Sequence, residues 1–450
     1  MEKKQIRQFY VKRPKDARDT ALYALLNINE NGRKANVFLR ETLDRAQEME
    51  PRDRALCEYL TQGTLSYLYA IDDVLGKHSK TPVSKLNPTI REILRMAVYQ
   101  LLYADRIPAS AAINEAVELA RIHGLSGLSG FVNGVLRNIY REAEGSEGAM
   151  KKDPASMRRI LSDGAVRWSV PKWLYKKLVE DFGQGGAEAV FQSWLILRKT
   201  SVRLNLSRAS EEQITASFAE DGIHAEKILD DPKVYELDGL SGFGVGALTA
   251  FRKGWVTVQD ASAAMLGPVA APKKGDVILD LCAAPGGKSL LMADMCGNDC
   301  TIEARDVSPE KTKLIDENAE RCGFTSIHTK VCDALREDKS WIGKADIVIA
   351  DLPCSGLGVV AKKPDIKKNL TPESITELAE LQREMLKTAV KYVRPGGKLI
   401  YSTCTITKEE NEQNAYRAAE ELGLKPYEMK RIMPDLHHDG FFIAGFTKID

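Results

Sequence analysis

Two cysteines sit where a thiol can do chemistry. Cys354 lies in Asp351-Leu352-Pro353-Cys354-Ser355-Gly356 and Cys404 in Ser402-Thr403-Cys404-Thr405, each just past a short apolar run that reads as a buried strand. A thiol at the carboxyl tip of a parallel strand faces the crevice where such sheets bind ligands, and as a thiolate it is a nucleophile. Cys57, Cys322 and Cys332 read instead as small core residues. Cys296 and Cys300 have ligand-like spacing, yet neither a second pair nor a nearby histidine pair completes four ligands, so no metal is expected.

A third segment belongs with these thiols. The run Val277-Ile278-Leu279-Asp280-Leu281 leads directly into Cys282-Ala283-Ala284-Pro285-Gly286-Gly287-Lys288-Ser289 ahead of a helical stretch. Small residues where a strand meets a helix let the backbone approach a ligand closely. A phosphate loop of the GxxxxGK[ST] kind needs glycine where Cys282 stands, and the dinucleotide GxGxxG is absent. That leaves a different nucleoside ligand lying over the strand ends. Asp306, closing the second strand, is placed to hold ribose hydroxyls; Asp333, closing the third, is placed to accept from an adenine amino group. Asp351 should meet the same ligand. Lys362, Lys363, Lys367 and Lys368 follow the fourth strand, where they would hold phosphates flanking a bound base or form a solvated loop.

These residues require a scaffold, and the apolar periodicity supplies one. Runs at 277–281, 302–307, 327–331, 345–350 and 398–401 alternate with helical patterns, which predicts a parallel α/β sheet over 256–450. The last long helix should start with Thr371 as N-cap and Pro372 at its first position, and carry Leu378, Leu381, Met385, Ala389 and Tyr392 as its apolar stripe. Pro395-Gly396-Gly397 then turns the chain into the fifth strand. Residues 155–255 mix helical patterns at 173–182 and 211–221 with an alternating strand at 201–206, a small α+β domain. Residues 1–145 read as all-helical: Ile93, Met96, Ala97 and Leu101 share a face, as do Ile113, Ala116, Val117 and Ala120. Asn87-Pro88 starts one helix and Ile107-Pro108 separates it from the next. The charged stretch 142–154, with Gly145, Gly148 and Pro154, reads as a connection. Lys3, Lys4, Arg7, Lys12, Arg13, Lys15 and Arg18 form either a phosphate-neutralising arm or a solvated tail.

Composition narrows the class. With 450 residues, 44% hydrophobic and 28% charged, the chain has ordinary globular usage, which excludes a disordered or collagen-like protein. Eight cysteines in this length are too sparse for a disulfide framework. No apolar run reaches the ~18 residues of a membrane span, and the first twenty residues carry charges throughout, so a cytoplasmic protein is expected.

The same segments carry a resemblance. DLCAAPGGKS from Asp280, DLPCSG from Asp351 and YSTCTITKEENE from Tyr401 resemble the RNA 5-methylcytosine methyltransferases that use S-adenosyl-L-methionine. LNPTIREILRMAVYQLLY from Leu86, RIPASAAINEAVELAR from Arg106 and GFVNGVLRNIYRE from Gly130 resemble the helical RNA-binding antitermination factor NusB. Together they resemble the B type of bacterial 16S ribosomal RNA cytosine-5 methyltransferases, the Sun or Fmu type, over nearly the whole chain. Val258-Gln259-Asp260-Ala261-Ser262 and Asp439-Gly440-Phe441-Phe442 also fit. Leu352 departs from the pattern, standing where a small residue is usual, and so does Gly445-Phe446, where a basic or leucine pair is usual.

The resemblance implies an all-α NusB-like RNA-binding domain at 1–145, a small α+β RNA-binding or linking domain at 155–255 and a Rossmann-like methyltransferase domain at 256–450. It implies S-adenosyl-L-methionine held by Cys282, Ala283, Ala284, Pro285, Gly286, Gly287 and Lys288 with Asp306, Asp333 and Asp351. Cys404 would be the nucleophile that adds to cytosine C6, Lys288 would lower its pKa, a protonated Asp351 would bind the N3/N4 edge, and Cys354 would assist release. The implied partner is unassembled 16S ribosomal RNA, met by a monomer. Transfer RNA as substrate, or a non-catalytic RNA-binding protein on the same fold, are the alternatives.

Overall fold

The computed structural model describes residues 14–46, 48–144, 161, 164–240 and 242–449. Its chain divides into two compact units, Met1–Leu195 with Ala361–Asn369, and Ile196–Val360 with Leu370–Asp450. Lys3, Lys4, Arg7, Lys12 and Arg13 lie outside the described residues, as does most of the connection expected at 142–154. The division at Leu195 differs from the domain boundary expected near 155. The helices Gly164–Arg167 and Lys172–Trp194 group with the helical unit, where the Ser169 hydroxyl accepts from the N–H groups of Tyr69 and Ala70 at 3.1 and 3.3 Å.

Among its described residues the first unit is all-helical. Asn87 caps the helix Pro88–Tyr103 by accepting from the N–H groups of Thr89 and Ile90, with Pro88 at the position where a missing N–H costs nothing. This helix is buried on nearly every side and therefore central: every residue from Ile90 to Leu102 except Arg91 is buried. Its two buried charges are paired. Arg95 bonds Glu92 at 2.6 Å and grips Asp72 with two nitrogens, at 2.7 and 2.6 Å, while Asn29 donates to Glu92. Ala109–Ile122 follows Pro108 as expected, although Leu119 rather than Val117 completes its buried face. Arg18, expected in the arm or tail, stands in the helix Ala17–Asn31 and donates to Gln100 at 3.1 Å.

The second unit contains two sheets. Strands β1 (Thr200–Leu204), β2 (His224–Asp230), β3 (Lys233–Asp238) and β4 (Val256–Val258) form an antiparallel sheet in the order β2-β3-β1-β4. The larger sheet comprises β5 (Val277–Asp280), β6 (Thr301–Asp306), β7 (Ile327–Val331), β8 (Ala345–Asp351), β9 (Val393–Thr403), β10 (Leu424–Ile432) and β11 (Phe441–Lys448), in the order β10-β11-β9-β8-β5-β6-β7. β5 to β9 pair in parallel, as their alternation with helices predicts, and the chain runs outward from β5 to β7 before returning to β8. The strand order thus reverses between β5 and β8, and ligands of open α/β sheets bind at the carboxyl ends beside such a reversal.

Three features differ from the sequence reading. β10 and β11 add an antiparallel pair, so the sheet is mixed rather than parallel. β9 begins at Val393, and Pro395-Gly396-Gly397 is an irregularity inside it, between the pairs formed by Ala345 and Ile347 of β8. Thr371 and Pro372 start the helix Pro372–Tyr392 as expected, but its buried face runs through Ile375, Ala379, Gln382, Met385 and Ala389, leaving Leu378 and Leu381 half-exposed.

Candidate active site

The strand-end loops are built from the backbone outward. After β5 the chain folds so that the Ala283 N–H donates to the Arg305 carbonyl at 2.8 Å and the Ala284 N–H to Asp306 Oδ2 at 3.1 Å. Gly286 then adopts φ +103° and opens the helix Gly287–Met295; a side chain there would press Ile315 at 3.3 Å as well as strain the backbone. Behind the loop Asp280 is fully buried, bonded by the Ser289 hydroxyl at 2.7 Å, and its other oxygen has no partner. Burial pushes this carboxyl up to about 7, against lowering by Ser289 and Lys288.

Asp306 ends β6 with its carboxylate between the two loops, accepting also from the Val307 N–H at 2.8 Å and from Lys311 Nζ at 2.9 Å. The next residue, Val307, is apolar yet 60% exposed. Asp333 is half-buried and accepts from the Leu335 N–H at 3.0 Å, with Leu335 also exposed. A glycine cradle, a rim carboxylate and exposed apolar side chains beside it form a donor and acceptor set that suits a nucleoside with ribose hydroxyls and a flat base. The sequence-derived residues therefore fit S-adenosyl-L-methionine. Cys282 is inert by its surroundings, because burial and then the carboxylates of Asp280, Asp306 and Asp351 push its thiol up.

Adjacent strands bring the two thiols together. Asp351 of β8 lies opposite Ser402 of β9, and beyond that pair the sulfurs of Cys354 and Cys404 stand 3.3 Å apart, both half-buried. Beside them Lys288 Nζ donates to Asp351 Oδ2, and the Ser402 hydroxyl donates to Oδ1 at 2.8 Å. Burial alone would lower the Lys288 ammonium, but Asp351, then Asp280 and Cys404, outweigh it and raise its pKa. The Cys354 thiol is held well above its ordinary value by its hydrogen bond to Cys404, by burial, and by the charges of Cys404, Glu410 and Asp351. One sulfur of the pair is thus kept protonated.

A close backbone crossing supports Cys404 from below. The Gly358 N–H donates to the Cys404 carbonyl at 3.0 Å, and the Gly440 N–H donates to the Gly358 carbonyl at 2.9 Å. A Cβ on Gly358 would lie 2.0 Å from the Gly440 carbonyl oxygen and 2.7 Å from that of Cys404, so only glycine fits.

The lysines after β8 divide. Lys367 is a correction: its ammonium is 1% exposed inside the helical unit and donates to the carbonyls of Ser66 at 2.6 Å and Ser169 at 2.9 Å, out of reach of a phosphate. Lys368 bonds the Asn29 carbonyl at 2.8 Å, whereas Lys363 is exposed and Lys362 half-buried. Of the cysteines read as core, Cys57 and Cys322 are fully buried and Cys332 is half-exposed at the end of β7. Among the described residues no cluster of three or more His, Cys, Asp or Glu could hold a metal ion. Sequence reasoning missed Ser355, Gln382 and Glu410, three buried polar residues behind the thiols. Glu410 lies inside the quoted YSTCTITKEENE run, and that position was its only signal.

Comparison with known proteins matches this construction. Residues 268–447 match the family described as 16S rRNA methyltransferase RsmB/F, and residues 15–141 match the NusB family. The chain is 34% identical to the probable ribosomal RNA small subunit methyltransferase B of Bacillus subtilis (strain 168), covering 96% of this chain and 98% of that protein. It is 31% identical to ribosomal RNA small subunit methyltransferase B of Escherichia coli O127:H6, covering 97% and 100%. Among solved structures, that of PH0851 is similar with a TM-score of 0.78 and 25% identity over 98% of this chain and all of that one. NSun6 from Pyrococcus horikoshii with SFG shares the fold of 62% of this chain and 98% of its own, with a TM-score of 0.57 and 23% identity. With a relative above 30% identity over almost its full length, a methyltransferase-family match over 268–447 and a NusB match ahead of it, the chain belongs to the RsmB/F family of 16S ribosomal RNA methyltransferases.

Proposed function

We propose that this S-adenosyl-L-methionine-dependent methyltransferase methylates C5 of a cytosine in 16S ribosomal RNA through a covalent bond between Cys404 and C6. The observation that carries the reading is the pair of sulfurs 3.3 Å apart at neighbouring strand tips, next to the Lys288–Asp351 pair. Cytosine C5 is a weak nucleophile, and addition of a thiolate at C6 turns C4–C5 into an enamine that can attack carbon. Lys288 favours the thiolate of Cys404 by its positive charge. Asp351 hydrogen-bonds the N3/N4 edge and, carrying a proton in that step, neutralises the charge that C6 addition creates. When bound, S-adenosyl-L-methionine supplies a methyl group on a positively charged sulfur, from which C5 takes it.

Cys282 to Lys288, Asp306, Asp333 and Asp351 are the proposed cofactor contacts. Release requires loss of the C5 proton and expulsion of the Cys404 sulfur, and Cys354 assists this step. The base leaves its stack to reach both thiols. Lys362, Lys363 and Lys368 remain as proposed phosphate contacts, without Lys367.

Labelled S-adenosyl-L-methionine and RNA separated by species test the reading. Cys354→Ala should trap a covalent RNA adduct, and Cys404→Ser should transfer no methyl and form none. Label in 5-methylcytosine of 16S RNA supports the substrate, and label in transfer RNA moves it. A Cys354→Ala protein that turns over normally without an adduct sinks the division of labour between the thiols.

A further inference from the structure

We propose that Glu410 is a positioning residue, a buried carboxylate that ties the Cys354 loop to the Cys404 loop and so sets both sulfurs against one base. The inference rests on the two-thiol reading above. Glu410 is 0% exposed and receives four hydrogen bonds. Oε1 accepts from the Ser355 N–H at 2.8 Å and Gln382 Nε2 at 3.1 Å, and Oε2 from the Ser355 hydroxyl at 2.5 Å and the Thr407 hydroxyl at 2.7 Å. A buried carboxylate is retained only where donors replace its water, and here donors occupy both oxygens.

The donors flank the thiols. Ser355 follows Cys354, and its hydroxyl also meets that of Thr405, the residue after Cys404, at 2.6 Å. On the other side of Cys354, the Pro353 carbonyl accepts from Gln382 Nε2 at 2.9 Å. On the other side of Cys404, the Thr403 hydroxyl donates to Asn411 at 2.6 Å, while Asn411 donates to the Thr405 carbonyl at 3.0 Å. Both neighbours of each cysteine are therefore fixed, and the bonds converge on Glu410 and the residues beside it. Cys404, Glu410 and Asp351 act most strongly on Cys354, and the buried Tyr401 hydroxyl also faces it, so the Glu410 charge opposes ionisation of Cys354. Lys288, across the pair, acts in the opposite sense on Cys404. Such an arrangement fixes which sulfur attacks as well as where both stand.

Glu410→Gln in the full chain keeps the shape and removes the charge; Ser355→Ala removes one hydroxyl and guards against a Gln variant that fails to fold. At saturating RNA, kcat should fall about a hundredfold in Glu410→Gln, the scale of a misplaced reacting group, with KM for S-adenosyl-L-methionine unchanged. Ser355→Ala should lose about tenfold, the scale of one hydrogen bond to a charged group. The pH at which iodoacetamide alkylates Cys354, read by peptide mass spectrometry, should drop in Glu410→Gln and stay in place in Ser355→Ala. Parental kcat in both variants overturns the inference, as does a loss of kcat and cofactor binding in parallel with an unmoved Cys354 profile. Cys354→Ala run alongside separates the two failures. No trapped adduct there removes the two-thiol reading and this inference together; a trapped adduct with parental Glu410→Gln removes this inference alone.

Discussion

Lys288 and Asp280 show how single residues set the chemistry of the strand ends. The ammonium of Lys288 is raised partly by Cys404, and the attraction is mutual: the charge that favours Lys288 also favours the thiolate. Lys288→Met should therefore raise the pH at which Cys404 is alkylated by about one unit or more, and an unmoved profile would confine Lys288 to Asp351. Asp280 bears on stability instead. Its carboxyl is pushed from 3.8 up to about 7 by burial, so the unfolded chain releases its proton first. Stability of the catalytic unit then falls as pH rises from 3.8 towards 7 and stays at the lower value above. Asp280→Asn removes that slope, shrinking the difference in unfolding free energy between pH 5 and pH 8 by roughly 2 to 3 kcal/mol. Denaturant titrations at the two pH values measure it, and an unchanged difference would mean that the buried carboxyl is not the source.

At the scale of elements, the crossing of Gly358 over Gly440 holds the Cys404 turn where β9 ends. Gly358→Ala places a methyl group inside the Gly440 and Cys404 carbonyls, and backbone must move to admit it. Methyl transfer should drop about a hundredfold while cofactor binding persists, because the Cys282–Lys288 loop is built separately on β5 and β6. Equal loss of cofactor affinity would show that the loops are not independent. The elements that position the motifs were largely legible. β5 is apolar up to Asp280 and β8 largely apolar, β6 and β7 are short runs that mix apolar with polar residues between helical patterns, and Thr371-Pro372 and Asn87-Pro88 carry cap chemistry in their residue types. β10 was not legible, since an edge strand whose middle residues are mostly exposed and charged has no alternation to read. β11 is a continuous apolar run, which does not distinguish a strand from a buried helix. Gln382 and Glu410 failed for a further reason: polar residues read as surface until the structure shows donors waiting for them.

In the molecule as a whole, the chain leaves the catalytic unit after Val360 and rejoins it at Leu370, and between them residues 361–369 belong to the helical unit. The four lysines there are alike in sequence, and burial alone separates them. Lys367 donates to the Ser66 and Ser169 carbonyls rather than to a carboxylate, and desolvation brings its pKa from 10.5 down to about 7. A lysine whose folded pKa is depressed makes stability rise with pH between the two values, because the unfolded chain holds its proton longer. The helical unit should gain about 2 kcal/mol from pH 7 to pH 9, and Lys367→Met should abolish that gain. Three of the five tryptophans, Trp168, Trp173 and Trp194, report on this unit once Trp255 and Trp341 are replaced by Phe, so urea unfolding read by fluorescence follows it alone. A parental unit equally stable at both pH values would show that Lys367 keeps its proton. The same variant should leave the salt slope of RNA binding unchanged, whereas Lys363→Ala, at an exposed position, should reduce it by about one if that lysine meets a phosphate. A reduced slope for Lys367→Met would return that ammonium to the RNA and overturn its assignment to the helical core.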